Sequence, residues 1–147
     1  MSVDFRDTIA IAAPAPVVGG IMNAVQEWPS WTASISTVER SSAGPLTVGE
    51  SVVVTQPKLR PATWTVTKVD TNGFEWTSSS VPGVHNVGGH WAVDNGDGTC
   101  TAELTLSFAG PLARVVTLFY GSLIRRYIRM EAEGLRKAAE GAAAQGR

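Results

Sequence analysis

Cysteine is almost missing: Cys100 stands alone in 147 residues, so no internal disulfide can form. A single thiol is compatible with a reducing compartment. Histidine, the residue type whose charge changes near neutrality, occurs only as His85 and His90. No basic block exceeds Arg125-Arg126 and the net charge is −1, so neither nucleic acid nor an anionic membrane is indicated as a partner. No apolar run approaches the roughly 20 residues that cross a bilayer, so no integral membrane contact is expected. No basic start leads into a continuous apolar stretch, secretion is not indicated, and the expected location is cytoplasmic. Repeats and long low-complexity linkers are absent too. Residues 1–147 therefore read as a single domain, large enough to bury roughly 70% of its unfolded surface.

What is present is tryptophan and alternation. Two of five tryptophans flank a proline in Trp28-Pro29-Ser30-Trp31, and Trp64, Trp76 and Trp91 each fall inside a strand-like run. Residues 4–12 alternate, with Phe5, Ile9 and Ile11 on one side, and predict a first strand with one buried face. After Pro14 and Pro16, Val17, Val18, Ile21, Met22 and Val25 recur at helical spacing to about Gln26. Gly19-Gly20 costs that helix about 1 kcal/mol per glycine, so short helices dependent on packing are expected before Trp31. Runs rich in Val, Thr and aromatics near 34–41, 50–56, 62–70, 73–80, 84–93 and 99–109 predict six more strands. Their Gly- and Asn-containing connectors make them mostly hairpin-linked and antiparallel. Beyond Gly110-Pro111 the period changes. Leu112, Val115, Val116, Phe119, Leu123, Tyr127, Met130 and Leu135 mark one helix to about Ala143, roughly 45 Å long at 1.5 Å per residue.

These elements define an α+β fold: a curved seven-stranded antiparallel sheet, two short helices after strand 1, and one long C-terminal helix. Only that helix is able to cover the buried face of the sheet. A gap between the two is the expected ligand cavity.

At this point the chain resembles the helix-grip superfamily called START-like or SRPBCC, especially its polyketide cyclase/dehydrase-like branch. The resemblance rests on Ile9-to-Pro14, Trp28-Pro29-Ser30-Trp31, Val48-Gly49-Glu50, Thr55-Gln56-Pro57 and Trp64-Thr65-Val66-Thr67. It continues through Phe74-Glu75-Trp76, Pro82-Gly83-Val84, Gly110-Pro111-Leu112 and Glu131-Ala132-Glu133-Gly134-Leu135. It spans essentially the whole chain in order, and implies a helix-grip domain. Members often carry an aromatic where Gly19 lies and an acidic residue near Ala24. Here both are small, so the first helix offers no obvious acid or base to the cavity mouth.

The candidate site residues follow from phase. Trp64 with Val66, and Phe74 with Trp76, share the apolar face of their strands; they are core or cavity wall. Trp31 is expected where the short helices close one end. His85 shares parity with Val87, Trp91 and Val93, so these point inward unless Gly88-Gly89 bulges and reverses the phase. The resemblance favours His90 as a cavity residue. His90 and His85 are the candidates for catalysis. Gln56 lies in phase with Val52 and Val54, and a buried amide there needs a partner. On the long helix Phe119, Tyr120, Leu123 and Tyr127 are candidates for the ligand wall. Glu131 reads as a structural hydrogen bond to the first helix or a neighbouring strand. Asp94, Asn95 and Asp97 lack the ligand set of a calcium loop, and two histidines with one cysteine lack zinc spacing. No phosphate-loop, dinucleotide or Gly-x-Ser-x-Gly signature occurs. No metal or cofactor is expected.

The leading functional expectation is a protein, monomer or homodimer, that binds a small hydrophobic ligand (polyketide, lipid or isoprenoid-like) in its internal cavity. A polyketide cyclase or dehydratase using a cavity histidine is one alternative. A protein-interaction or chaperone-like module is the other.

Overall fold

The computed structural model describes residues 2–146. Strand β1 (Ser2–Ile11) leads into helix α1 (Ala15–Asn23), a 3₁₀ helix (Val25–Ser30), strands β2 (Thr37–Arg40), β3 (Ser51–Thr55), β4 (Ala62–Asp70), β5 (Gly73–Ser78), β6 (His85–Asp94) and β7 (Cys100–Ala109), and helix α2 (Ala113–Gln145). The seven strands form one antiparallel sheet in the order β1-β7-β6-β5-β4-β3-β2. Every connection from β2 to β7 is thus between neighbours, and only β1 is placed by a long-range pairing, with β7. The long helix packs chiefly across β1 and β7, and α1 lies against both α2 and the sheet. This is the helix-grip α+β arrangement.

The alternating pattern of β1 becomes Phe5, Ile9 and Ile11 buried against exposed neighbours. Strand β2 is shorter than the sequence suggests. Thr32 and Ser34, both buried, instead hydrogen-bond to each other through hydroxyls 2.6 Å apart, and such local side-chain bonding competes with strand formation. The first helical pattern also divides. The chain leaves α-helical geometry at Ala24 (φ −82°, ψ 64°) and continues as the 3₁₀ turn that contains Pro29. Gly19 has a packing reason. A Cβ there would collide with the Thr71 carbonyl oxygen, so α1 sits directly on the β4–β5 turn.

Three apolar clusters fill the grip. One joins α1 and the far half of α2 to β1, β6 and β7 through Ile11, Met22, Cys100 and Leu135. A second surrounds Trp28 with Val52, Val66, Phe74 and Trp76. The third links Phe5, Phe108 and Ile124. At the β2–β3 end, Arg40 grips Glu50 in a two-point contact, Nε–Oε2 2.6 Å and Nη2–Oε1 2.9 Å. Its remaining nitrogen donates to Gln26 Oε1 and the Gly44 carbonyl, which ties the sheet edge to the 3₁₀ turn. The hydrogen bonds from Arg40 hold the Glu50 carboxyl below the usual carboxylate range, and the same bonds raise the guanidinium.

Candidate functional site

A cavity of about 90 Å³ lies between the sheet and α2 where the three clusters approach one another. The sheet side is built by register. Leu104 and Leu106 of β7 stand opposite His90 and Gly88 of β6, and Gly88 in turn stands opposite Trp76 of β5. Trp64 of β4 stacks on Trp76, with ring centroids 5.4 Å apart and planes at 28°. Gly88 makes this possible. A Cβ there would fall 2.9 Å from Trp76 Nε1, so only a glycine lets the indole lie across β6. The helix side is a stripe at helical spacing, Ile124, Tyr127, Ile128 and Glu131. Trp28 closes one end and the Gln56–Leu59 segment forms the rim. The Tyr127 hydroxyl donates to the Pro57 carbonyl, and Gln56 Nε2 donates to the Ser34 carbonyl at 3.2 Å, so the rim is tied to both helix and loop.

One buried polar pair interrupts this apolar wall. His90 stacks on Phe74 at 4.6 Å and 17°, and its ring also touches Trp28 (5.0 Å) and Trp76 (5.7 Å). Its Nε2 lies 3.1 Å from Glu131 Oε1, with side chains only 9% and 13% exposed. The contact is an ion-pair distance without hydrogen-bond alignment: His90 Nδ1 and Glu131 Oε1 are both buried and make no directed hydrogen bond. Buried polar atoms almost always find partners. These two side chains lie together in the cavity wall. Cys100 offers no competing nucleophile, because it is buried and burial pushes its thiol pKa up. Among the described residues, no cluster of three or more His, Cys, Asp or Glu is placed to hold a metal, and no helix is long and apolar enough to cross a membrane.

Of the residues singled out in the sequence, Gln56, Trp64, Trp76, His90 and Tyr127 come together on the cavity wall. Trp31 does not. It packs 5.8 Å from Trp28, partly buried between two core clusters, and its indole N–H is buried without a partner. Trp28 takes the wall position instead, since the 3₁₀ turn around Pro29 directs it inward and its N–H donates to the Met22 carbonyl at 3.0 Å. The expected phase of β6 is reversed. Pairing with β7 runs unbroken from His85 to Asp94, so no bulge intervenes, and Asn86, His90 and Ala92 are the buried set. His85 is exposed, with Nδ1 3.0 Å from the Ser79 hydroxyl. Val93 is exposed, and Trp91 lies on the outer face, its indole close to Gly89.

On α2, Phe119 and Leu123 are out of phase with the cavity stripe, and Tyr120 is in phase but one turn beyond it; Phe119 and Tyr120 are exposed. Glu131, read from sequence as a structural hydrogen bonder, is the helix's polar contribution to the cavity. Its signal was the four-residue step from Tyr127 within the apolar stripe.

The family described as polyketide cyclase/dehydrase and lipid transport matches residues 2–140 of this chain. No curated protein matches the sequence. Among solved structures, the Zhui aromatase/cyclase from Streptomyces sp. R1128 is similar at 17% identity with a TM-score of 0.78, over 95% of this chain and 94% of that one. Norcoclaurine synthase from Thalictrum flavum, solved with dopamine and hydroxybenzaldehyde, is similar at 14% identity and TM-score 0.73, over 94% and 86%. The di-domain aromatase/cyclase BexL from the BE-7585A biosynthetic pathway is similar at 17% and 0.70, over 92% of this chain and 45% of that one. At these identities the likeness is one of fold.

Proposed function

The chain belongs to the polyketide cyclase/dehydrase and lipid transport family, and from that premise we propose that it binds a small, flat, mostly apolar molecule with one oxygen-bearing end. The observation that carries this reading is the His90–Glu131 pair, two incompletely bonded polar groups in a mostly apolar cavity that Gln56, Thr105 and Tyr127 also line. Its size limits the ligand. At about 90 Å³ it is far below the roughly 300–1,000 Å³ typical of drug-sized sites. One or two rings, or a short acyl chain, fit the closed grip; a longer chain requires α2 and the Gln56–Leu59 rim to separate. The apolar part lies against Trp64, Trp76 and Ile128, and the oxygen meets His90.

Burying roughly 200 Å² of ligand surface at about 25 cal/mol per Å² contributes about 5 kcal/mol. A hydrogen bond to His90 adds about 1 kcal/mol, and since association also costs translational and rotational freedom, the dissociation constant is expected on the order of 0.1 mM or weaker. Titration with 2-naphthol and with naphthalene, followed by tryptophan fluorescence, tests this. Saturable quenching is expected, with His90→Phe weakening naphthol but not naphthalene. No saturation, or equal loss for both compounds, would defeat the proposal.

The same pair supports a second, catalytic reading. A histidine held beside a carboxylate is the arrangement of a general base with its orienting group. His90 would take a proton from a carbon next to a ligand carbonyl and return one to a departing hydroxyl, so that water leaves and no cofactor is consumed. Glu131→Gln would then retain binding while abolishing cyclisation or dehydration of a β-hydroxy ketone. A catalytic rate unchanged by that substitution would exclude this reading.

A further inference from the structure

The first half of α2 has a solvent face that the cavity does not use. Ala113, Ile124 and Tyr127 point to the core, yet the opposite side is also apolar: Leu118 is 80% exposed, Phe119 75%, Val115 50% and Leu112 45%. Their spacing, continued by exposed Ser122 and Arg126, traces one outward stripe. A solvated helix face is ordinarily polar, and the second half of the same helix obeys that rule with Arg129, Glu133 and Lys137. The stripe extends beyond the helix, because Leu112 packs over Gly83, and Val81 in the same loop is partly exposed.

Charge selects the occupant. From Leu104 to Met130 the sequence has four arginines (Arg114, Arg125, Arg126 and Arg129) and no Asp, Glu or Lys, although the whole chain carries −1. Arg129 is engaged with Asp7 and Glu133, and Arg125 lies over the Phe5 ring at 5.1 Å. A second copy of this chain fits poorly. A two-fold contact would place the same face, and the same arginines, opposite one another. The net charge of the chain gave no indication of an anionic membrane, but the local pattern on this face does: leucine and phenylalanine enter the headgroup boundary while a neighbouring arginine meets lipid phosphates. We propose that the first half of α2 is a peripheral docking face for anionic lipid, with Leu118 and Phe119 inserted and Arg126 at the headgroups.

The test is sedimentation with phosphatidylcholine vesicles, either pure or with about a third phosphatidylglycerol. The full chain is expected to bind the anionic vesicles, to release at high salt as the surface charge is screened, and to ignore the neutral ones. Leu118→Ser with Phe119→Ser is expected to weaken binding at least tenfold, and Arg126→Gln about fivefold. Both changes lie on exposed positions, and an unchanged melting temperature confirms that folding is intact. Absence of wild-type binding, or equal binding by the variants, overturns the proposal. Self-association that the double serine variant abolishes, or a protein partner bound there without vesicle binding, assigns the stripe to that occupant and overturns it equally. None of these readouts depends on what the cavity holds.

Discussion

Replacing His90 by Phe and Glu131 by Leu together should make the protein more stable, whereas either change alone should weaken it. The two side chains are 9% and 13% exposed and 3.1 Å apart, yet Nδ1 and Oε1 lack directed partners. Removing only His90 leaves a carboxylate facing Trp28, Phe74 and Trp76, at a cost of about 3–5 kcal/mol. Removing only Glu131 strands a buried imidazole, costing about 1–3 kcal/mol. The double replacement eliminates both desolvation penalties and puts a phenyl ring where His90 already stacks on Phe74. Exchanging a buried charged or polar pair for apolar groups of similar volume gives about 0–4 kcal/mol of stabilisation. For a chain of this size that raises the melting temperature by up to about 10 °C. Calorimetry on the four proteins, read as a double-mutant cycle, measures the coupling directly. A double variant less stable than wild type by more than about 2 kcal/mol would refute the reasoning. The pair would then be a structural fastener rather than a stability cost retained for ligand contact.

Two further outcomes are expected. Glu50→Gln should destabilise the protein by about 3–5 kcal/mol at pH 7, since Arg40 and Glu50 are 9% and 1% exposed. The Glu50 carboxyl is held below its ordinary value by the Arg40 hydrogen bonds, so its contribution is full above the unfolded carboxyl value of about 4.3 and disappears as pH falls through the folded one. Urea melts should therefore converge for wild type and variant in acid, and a gap that persists there would contradict the assignment. Gly88→Val should displace Trp76, whose Nε1 lies 2.9 Å from the added Cβ. The expected result is a loss of about 1–3 kcal/mol and of ligand-induced fluorescence change; unaltered titration curves would remove Gly88 from the cavity floor.

The fold was legible because its periods are clean. Alternation in residues 4–12 and the three-to-four spacing after Gly110 place β1 and α2 within a few residues of their observed bounds. Turn residues such as Asp70-Thr71-Asn72-Gly73 announce the hairpins, and Gly73 takes φ 148°. The cavity wall was legible where one strand face is plainly apolar, as at Gln56, Trp64 and Trp76. It was not legible in β6. There Gly88 and Gly89 carry no side chain to mark the buried face, while Val87 and Trp91 give the outer face an apolar pattern. Trp91 can lie outside because Gly89 leaves a trough beside its indole. Likewise, the exchange of Trp31 for Trp28 depends on how the 3₁₀ turn rotates around Pro29, which no spacing reveals. The apolar outer stripe of α2 was not read from the sequence, because helical periodicity alone assigns residues such as Phe119 to a core.

The most direct measurement is nitrogen-resolved NMR of the His90 imidazole during titration with 2-naphthol. The account predicts that the Nδ1 signal moves saturably, over the same concentrations as the tryptophan quenching, and that naphthalene leaves it nearly still. A His90 signal that stays fixed while the ligand saturates would contradict the claim that the buried pair receives the polar end of the ligand.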